Sequence, residues 1–137
     1  MANGVSTLKS IAQARAKFAW ECAYGKDKEY GSLVNKIPTY IKTNGLLNTL
    51  AFLYSKSKND NREEKLLKQI CNWLTGQNLP SCVSAFPLIE INKLTTGSND
   101  QEKVLIYLMT CQAKELIQCT TEVLALLNWL RRFAKSE

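Results

Sequence analysis

Toward the end of the chain, Leu116, Cys119, Val123, Leu126, Leu130 and Phe133 recur at spacings of 3, 4, 3, 4 and 3. That rhythm gathers all six on one side of an α-helix and would scatter them over both faces of a strand. Leu124 and Leu127 widen the stripe, so the segment reads as a bundle helix buried between several neighbours rather than a coiled coil. No segment of the 137 residues sustains the period-two alternation of a half-buried strand. The pattern therefore predicts an all-α chain, one domain over residues 1–137, packed as a compact bundle of about six helices.

The remaining helices follow from the same spacing. From Ser6 to about Tyr24, Leu8, Ile11, Ala12, Ala16, Ala19, Cys22 and Ala23 form one stripe, interrupted at a helical step by Arg15. An arginine in that place suits a packed side chain paired with a carboxylate. Gly25 ends the helix. Leu33, Val34, Ile37, Tyr40 and Ile41 mark a second segment from about Glu29 to Thr43, with Pro38 making it two short helices or one kinked one. Asn44 is placed to cap the third helix, whose Leu46, Leu47, Leu50, Phe52, Leu53 and Tyr54 suggest a central, buried element. A fourth runs from Glu63 to Thr75, with Leu66, Leu67, Ile70, Trp73 and Leu74 inward and Gly76 as its stop. Residues 76–87 read as a loop, Leu88–Leu94 as a short helix and Thr95–Asn99 as a turn. From Asp100 onward the pattern fits one long helix or two in succession, with Val104, Leu105, Leu108 and Met109 inward in the first part.

Composition removes most catalytic readings. The chain has no histidine, which excludes Ser-His-Asp and Cys-His nucleophile systems and Cys₂His₂ zinc sites. Its three aspartates, Asp27, Asp60 and Asp100, fall in connectors or helix starts, not in a converging carboxylate set. No phosphate-cradling glycine loop is present. The five cysteines are odd in number and lack a Cys-x-x-Cys spacing, which points to small buried apolar groups in a reducing compartment. No catalytic residue, metal ligand or cofactor is called for. The longest apolar stretches, Leu46–Tyr54 and Val123–Leu130, are too short to span a bilayer, so the expectation is a cytoplasmic chain with no membrane contact.

Charge is the informative property. Residues 1–58 carry nine Lys and Arg against three Asp and Glu, whereas residues 59–137 carry nine of each. The whole formal excess of +6 therefore lies in the first part, where an anionic partner is the natural reading. Candidates are Arg15, Lys17, Lys36, Lys42, Lys56 and Lys58, joined at the other end by Arg131 and Arg132. Each group also has a structural explanation, such as the favourable interaction of Lys56, Arg131 and Arg132 with helix C-termini. Together they are numerous enough to line a phosphate backbone if the first three helices share a face. Trp20, Tyr24, Tyr30, Tyr40 and Tyr54 do not form the stacking platform of a single-strand binder, and Trp73 and Trp129 read as core. A helix-turn-helix regulator is disfavoured, because the helix after Asn44-Gly45 is rich in Leu and Phe rather than in base-reading side chains.

Four segments in order carry a family resemblance. They are Arg15-Ala16-Lys17-Phe18-Ala19; Tyr30-x-x-Leu33-Val34-x-Lys36-x-Pro38 with Ile41-x-x-Asn44-Gly45-Leu46; Thr49-Leu50-Ala51-Phe52-Leu53-x-x-Lys56; and Trp129-Leu130-Arg131-Arg132-Phe133-Ala134. As a set they resemble the small α-helical subunit of the type III-B CRISPR effector, the Cmr complex. The resemblance implies a non-catalytic helical bundle that stacks, with copies of itself, in the inner filament of an RNA-guided complex. It implies contact with the repeated backbone subunit and the large subunit, and a basic face along the channel holding the crRNA–target RNA duplex. It also implies a role in antiviral defence. Arg15, Lys17, Asn44, Gly45, Lys56, Arg131 and Arg132 match the family's recurring polar positions, with Asn44 and Gly45 also explained as a helix cap. The alternative is a free-standing basic helical adaptor or a sequence-independent nucleic-acid-binding protein.

Overall fold

Ser10 starts the first helix through a reciprocal cap. Its hydroxyl accepts from the Gln13 N–H and the Gln13 side chain accepts from the Ser10 N–H, each at 3.0 Å. The helix, α1 (Ile11–Ala23), thus begins later than the apolar spacing suggests, because Ser10 is extended. The structure is a computed structural model and describes residues 10–76, 89 and 97–134. Among these there are six helices and no strand. The expectations for residues 6–9, the loop at 77–87, the short helix at 88–94, Cys82 and the first part of the turn at 95–96 lie outside the described residues, apart from Ile89. Ile89 is buried, and its N–H donates to the Leu74 carbonyl.

Asp27 caps α2 (Lys28–Asn44) by accepting from the Tyr30 N–H at 3.0 Å. Pro38 lies inside this helix, which continues through it as one element. The proline lacks the N–H that would bond to Val34, and its ring is buried beside Val34, Ile37 and Ile41 on the packed side. Gly45 separates α2 from α3 (Leu46–Lys56) and serves as the boundary residue of both. Asn44 is not the cap predicted from sequence: it is the last residue of α2, and α3 has no side-chain cap. Gly45 takes φ +89° and ψ 160°, a backbone region open essentially to glycine alone, so the chain turns there without needing a capping side chain.

Asn61 caps α4 (Arg62–Thr75), and left-handed Gly76 ends it. Asn99 caps α5 (Asp100–Thr110) by accepting from the Glu102 N–H. The C-terminal region is two helices. The break falls at Cys111 and Gln112, both extended, before α6 (Ala113–Phe133).

The core is one cluster in which α1 packs on α6, α2 on α3, α4 and α6, and α4 on α3, α5 and α6. The central positions belong to α2 and α4 rather than to α3. Seven residues of α4, from Leu66 to Thr75, are buried, including the whole of Trp73, whereas α3 buries the single stripe Leu46, Thr49, Leu50 and Leu53. Several residues expected inward lie instead at the edges of buried arcs, Tyr40 and Tyr54 among them at 40% and 41% exposed. Met109 is 60% exposed, lying about 90° round from the middle of the arc set by Val104, Leu105 and Leu108. Trp129 is half-buried on the flank of the α6 seam.

Candidate nucleic-acid interface

Seven of the eight candidate cations separate into two groups, and Arg132 lies over the Trp129 ring instead. Arg15 lies in the middle of the inward arc of α1 and is committed to the fold. Its guanidinium donates to Glu122 of α6 at 2.6 and 2.9 Å, and the two side chains are only 13% and 12% exposed. Trp73 of α4 donates its indole N–H to the same carboxylate at 2.8 Å, so three helices meet on one charge. Lys17 is exposed and pairs with Glu21 one turn on. The first helix therefore brings no free cation from this pair. It packs on α6, and the shared face expected of the first three helices is not assembled.

The other group is exposed. Lys36, Lys42, Lys56, Lys58 and Arg131 form no ion pair among the described residues. Four of them belong to the α2–α3 unit, and from Tyr30 to Asn59 the sequence holds no Asp or Glu. On α2, Asn35, Lys36, Thr39, Tyr40, Thr43 and Asn44 line an open groove of about 470 Å³. Lys36 and Lys42 stand about 120° apart round the helix, on either side of Thr39 and Thr43. Tyr40 is stacked on Phe52 of α3, with ring centroids 5.3 Å apart, which stiffens the groove wall. Lys56 and Lys58, at the end of α3 and just beyond it, are not among the residues lining this groove. The groove is open, and Lys36 is the cation in its wall. Its long cationic and amide or hydroxyl side chains suit phosphate oxygens without reading bases.

A second cluster joins two aromatic pairs, each at i,i+4 spacing, that no local pattern brings to one another. Trp20 and Tyr24 of α1 meet Phe133 and Trp129 of α6. Ring centroids are 5.8 Å apart for Trp20–Tyr24, 5.3 Å for the edge-on pair Trp20–Phe133 and 5.7 Å for Trp129–Phe133. The Arg132 guanidinium lies 5.5 Å from the Trp129 ring centre. The two contributing helices lie at opposite ends of the sequence, so only their packing reveals the aromatic surface.

Carboxylates are consumed elsewhere. Asp27 is a cap, Glu64 pairs with Lys68, and Glu63 pairs with Arg62. Glu115 accepts from the Gln112 N–H. Glu102 accepts from the Tyr54 hydroxyl at 2.6 Å and from Ser98, and these hydrogen bonds hold its carboxyl at about 2, below the ordinary 4.5. Burial pushes the thiols of Cys22, Cys71 and Cys119 up to about 12, the opposite of nucleophile activation. Among the described residues no group of three or more His, Cys, Asp or Glu could hold a metal ion. No helix among them is long and apolar enough to cross a membrane.

The described residues form an all-α bundle, with exposed lysines on α2 and at the end of α3. Residues 11–137 match the family model described as CRISPR-associated protein (Cas_Cmr5), starting at the first residue of α1. The chain belongs to this family and is a CRISPR-associated Cmr subunit, in agreement with the resemblance carried by its four segments.

Proposed function

We propose that this chain is the non-catalytic small subunit of a type III-B RNA-guided effector, one all-α domain stacking in the inner filament along the channel that holds the crRNA–target RNA duplex. The observation that carries the reading is the run from Tyr30 to Asn59, which presents Lys36, Lys42, Lys56 and Lys58 to solvent with no carboxylate of its own. Such a surface binds a phosphate backbone, and it does so regardless of sequence. The commitment of Glu102, Glu115 and Glu122 to hydrogen bonds within the fold supports a role without acid–base chemistry, so target cleavage falls to other subunits. The partners are the backbone and large subunits and further copies of this chain. The work is done in the cytoplasm, without a cofactor, and serves antiviral defence.

Co-purification tests the assembly. An affinity-tagged backbone subunit, drawn from the native host, should bring this chain down with it. Recovery of an intact complex with this chain left free in the supernatant would contradict the assignment and favour a free-standing adaptor.

A further inference from the structure

The aromatic cluster between α1 and α6 has an open side. Trp20, Ala23, Tyr24, Gly25, Lys26, Arg132 and Phe133 enclose a cleft of about 520 Å³, within the range of small-ligand sites. Trp20 is 52% and Tyr24 72% exposed, far more than packing requires of such rings. Two cations border them and no acidic residue lines the cleft. Glu21, on the same helix, is already engaged by Lys17. Arg132 is prearranged over Trp129, and Lys26 lies 6.0 Å from the centre of the Tyr30 ring, so neither cation is neutralised by a carboxylate among the described residues.

Flat π surfaces bordered by unneutralised cations match an unpaired nucleotide. The base stacks on an aromatic face while its phosphates meet Lys26 and Arg132. A duplex cannot enter in this way, because its bases are already stacked on one another. We propose that this cleft holds a single unstacked nucleotide of an RNA strand, distinct from the duplex-backbone surface on α2 and α3. The inference rests on the RNA-channel reading above and adds a second kind of contact to it. Charge decides between this occupant and a peptide: an apolar or mixed peptide leaves Lys26 and Arg132 without an anion, whereas each nucleotide supplies one.

The full chain is titrated with single-stranded oligoadenylate and, separately, with a blunt RNA duplex of equal strand length, while tryptophan fluorescence is followed. The single strand should quench the emission. Trp20→Ala and Tyr24→Ala should each weaken single-strand binding about tenfold, and Trp20→Phe should retain most of it. Lys26→Ala should reduce the salt slope by about 0.7. Tyr24, being the more exposed ring, keeps the test valid if Trp20→Ala disturbs Phe133. Unchanged single-strand affinity in both alanine variants overturns the site. So does a Trp20→Ala protein that binds RNA normally but no longer joins its partner subunits, which would assign the cleft to protein. Absence of quenching in the parent chain overturns the nucleotide site alone, since the backbone surface is read separately through Lys36 and Lys42.

Discussion

Arg15 and Glu122, 107 positions apart, are joined by two charge-assisted hydrogen bonds, from Nε at 2.6 Å and Nη2 at 2.9 Å. This ion pair pins α1 to α6, and the Trp73 indole extends it to α4. Removing the arginine alone leaves a mostly buried carboxylate with one neutral donor. Arg15→Ala should therefore destabilise the fold by about 2–4 kcal/mol, near the usual cost of orphaning a buried charge. Arg15→Met combined with Glu122→Leu should cost less than the single change, because it removes the charge as well as its partner. Urea unfolding of the two variants measures the difference. A single variant no less stable than the double would show that the unpaired Glu122 carboxylate carries no penalty of its own.

Gly45 and Asn44 make opposite predictions. A Cβ at Gly45 would meet nothing within 4 Å, so the cost of Gly45→Ala is purely that of its positive φ, about 1–3 kcal/mol. Asn44→Ala should change stability by less than about 0.5 kcal/mol, because the Asn44 side chain caps neither helix. Thermal melts of the two variants, read side by side, decide whether the turn or the asparagine organises this junction. A drop of about 1 kcal/mol or more in Asn44→Ala would restore a capping role to that residue.

Acid should act partly through Glu102. Hydrogen bonds from Tyr54 and then Ser98 hold its folded-state value at about 2 against an ordinary 4.5. The folded chain thus takes up this proton less readily than the unfolded chain. The resulting stabilisation is complete above the ordinary value and is lost as pH falls from about 4.5 toward about 2. The stability difference between the parent chain and Glu102→Gln should shrink across that window in melts collected at successive pH values. A difference constant down to about pH 2 would contradict the assignment.

Thiol reactivity reports on the core. With Cys22, Cys71 and Cys119 pushed to about 12 by burial, only roughly one thiol in ten thousand is ionised at about pH 8. Peptide mapping after brief iodoacetamide treatment should find these three unmodified in the native chain and modified after denaturation. Native labelling of Cys71 or Cys119, both buried, would mean that the α4 or α6 packing opens readily.

Helix type and the phase of the larger helices are legible in the sequence, among the described residues, because large aliphatic side chains mark their own phase. Leu66, Leu67, Ile70, Trp73 and Leu74 are all buried as their spacing demands. Alanine marks phase poorly. The apolar stripe of α1 takes in Ala12, which is exposed, and omits Ala14, which is buried, since a methyl group gains little from either position. The place of Arg15 in that stripe points to a packed arginine. Its partner has no such signal, because Glu122 is brought to it by the packing of α1 on α6 and not by any local pattern. The same packing makes the Trp20–Phe133 contact, so the aromatic cleft is invisible to spacing while the excess of lysine can be counted directly.

The central claim is that the face of residues 30–59, a stretch of sequence without Asp or Glu, lies against the RNA duplex. Its most direct test is target-RNA retention by the complex reconstituted with Lys36→Glu and Lys42→Glu together. Both residues are exposed and form no ion pair among the described residues, so the chain should fold and assemble normally. Retention should weaken, and its salt dependence should fall by about 0.9 for each duplex phosphate that is no longer neutralised. Retention and salt dependence equal to those of the parent complex would contradict the account.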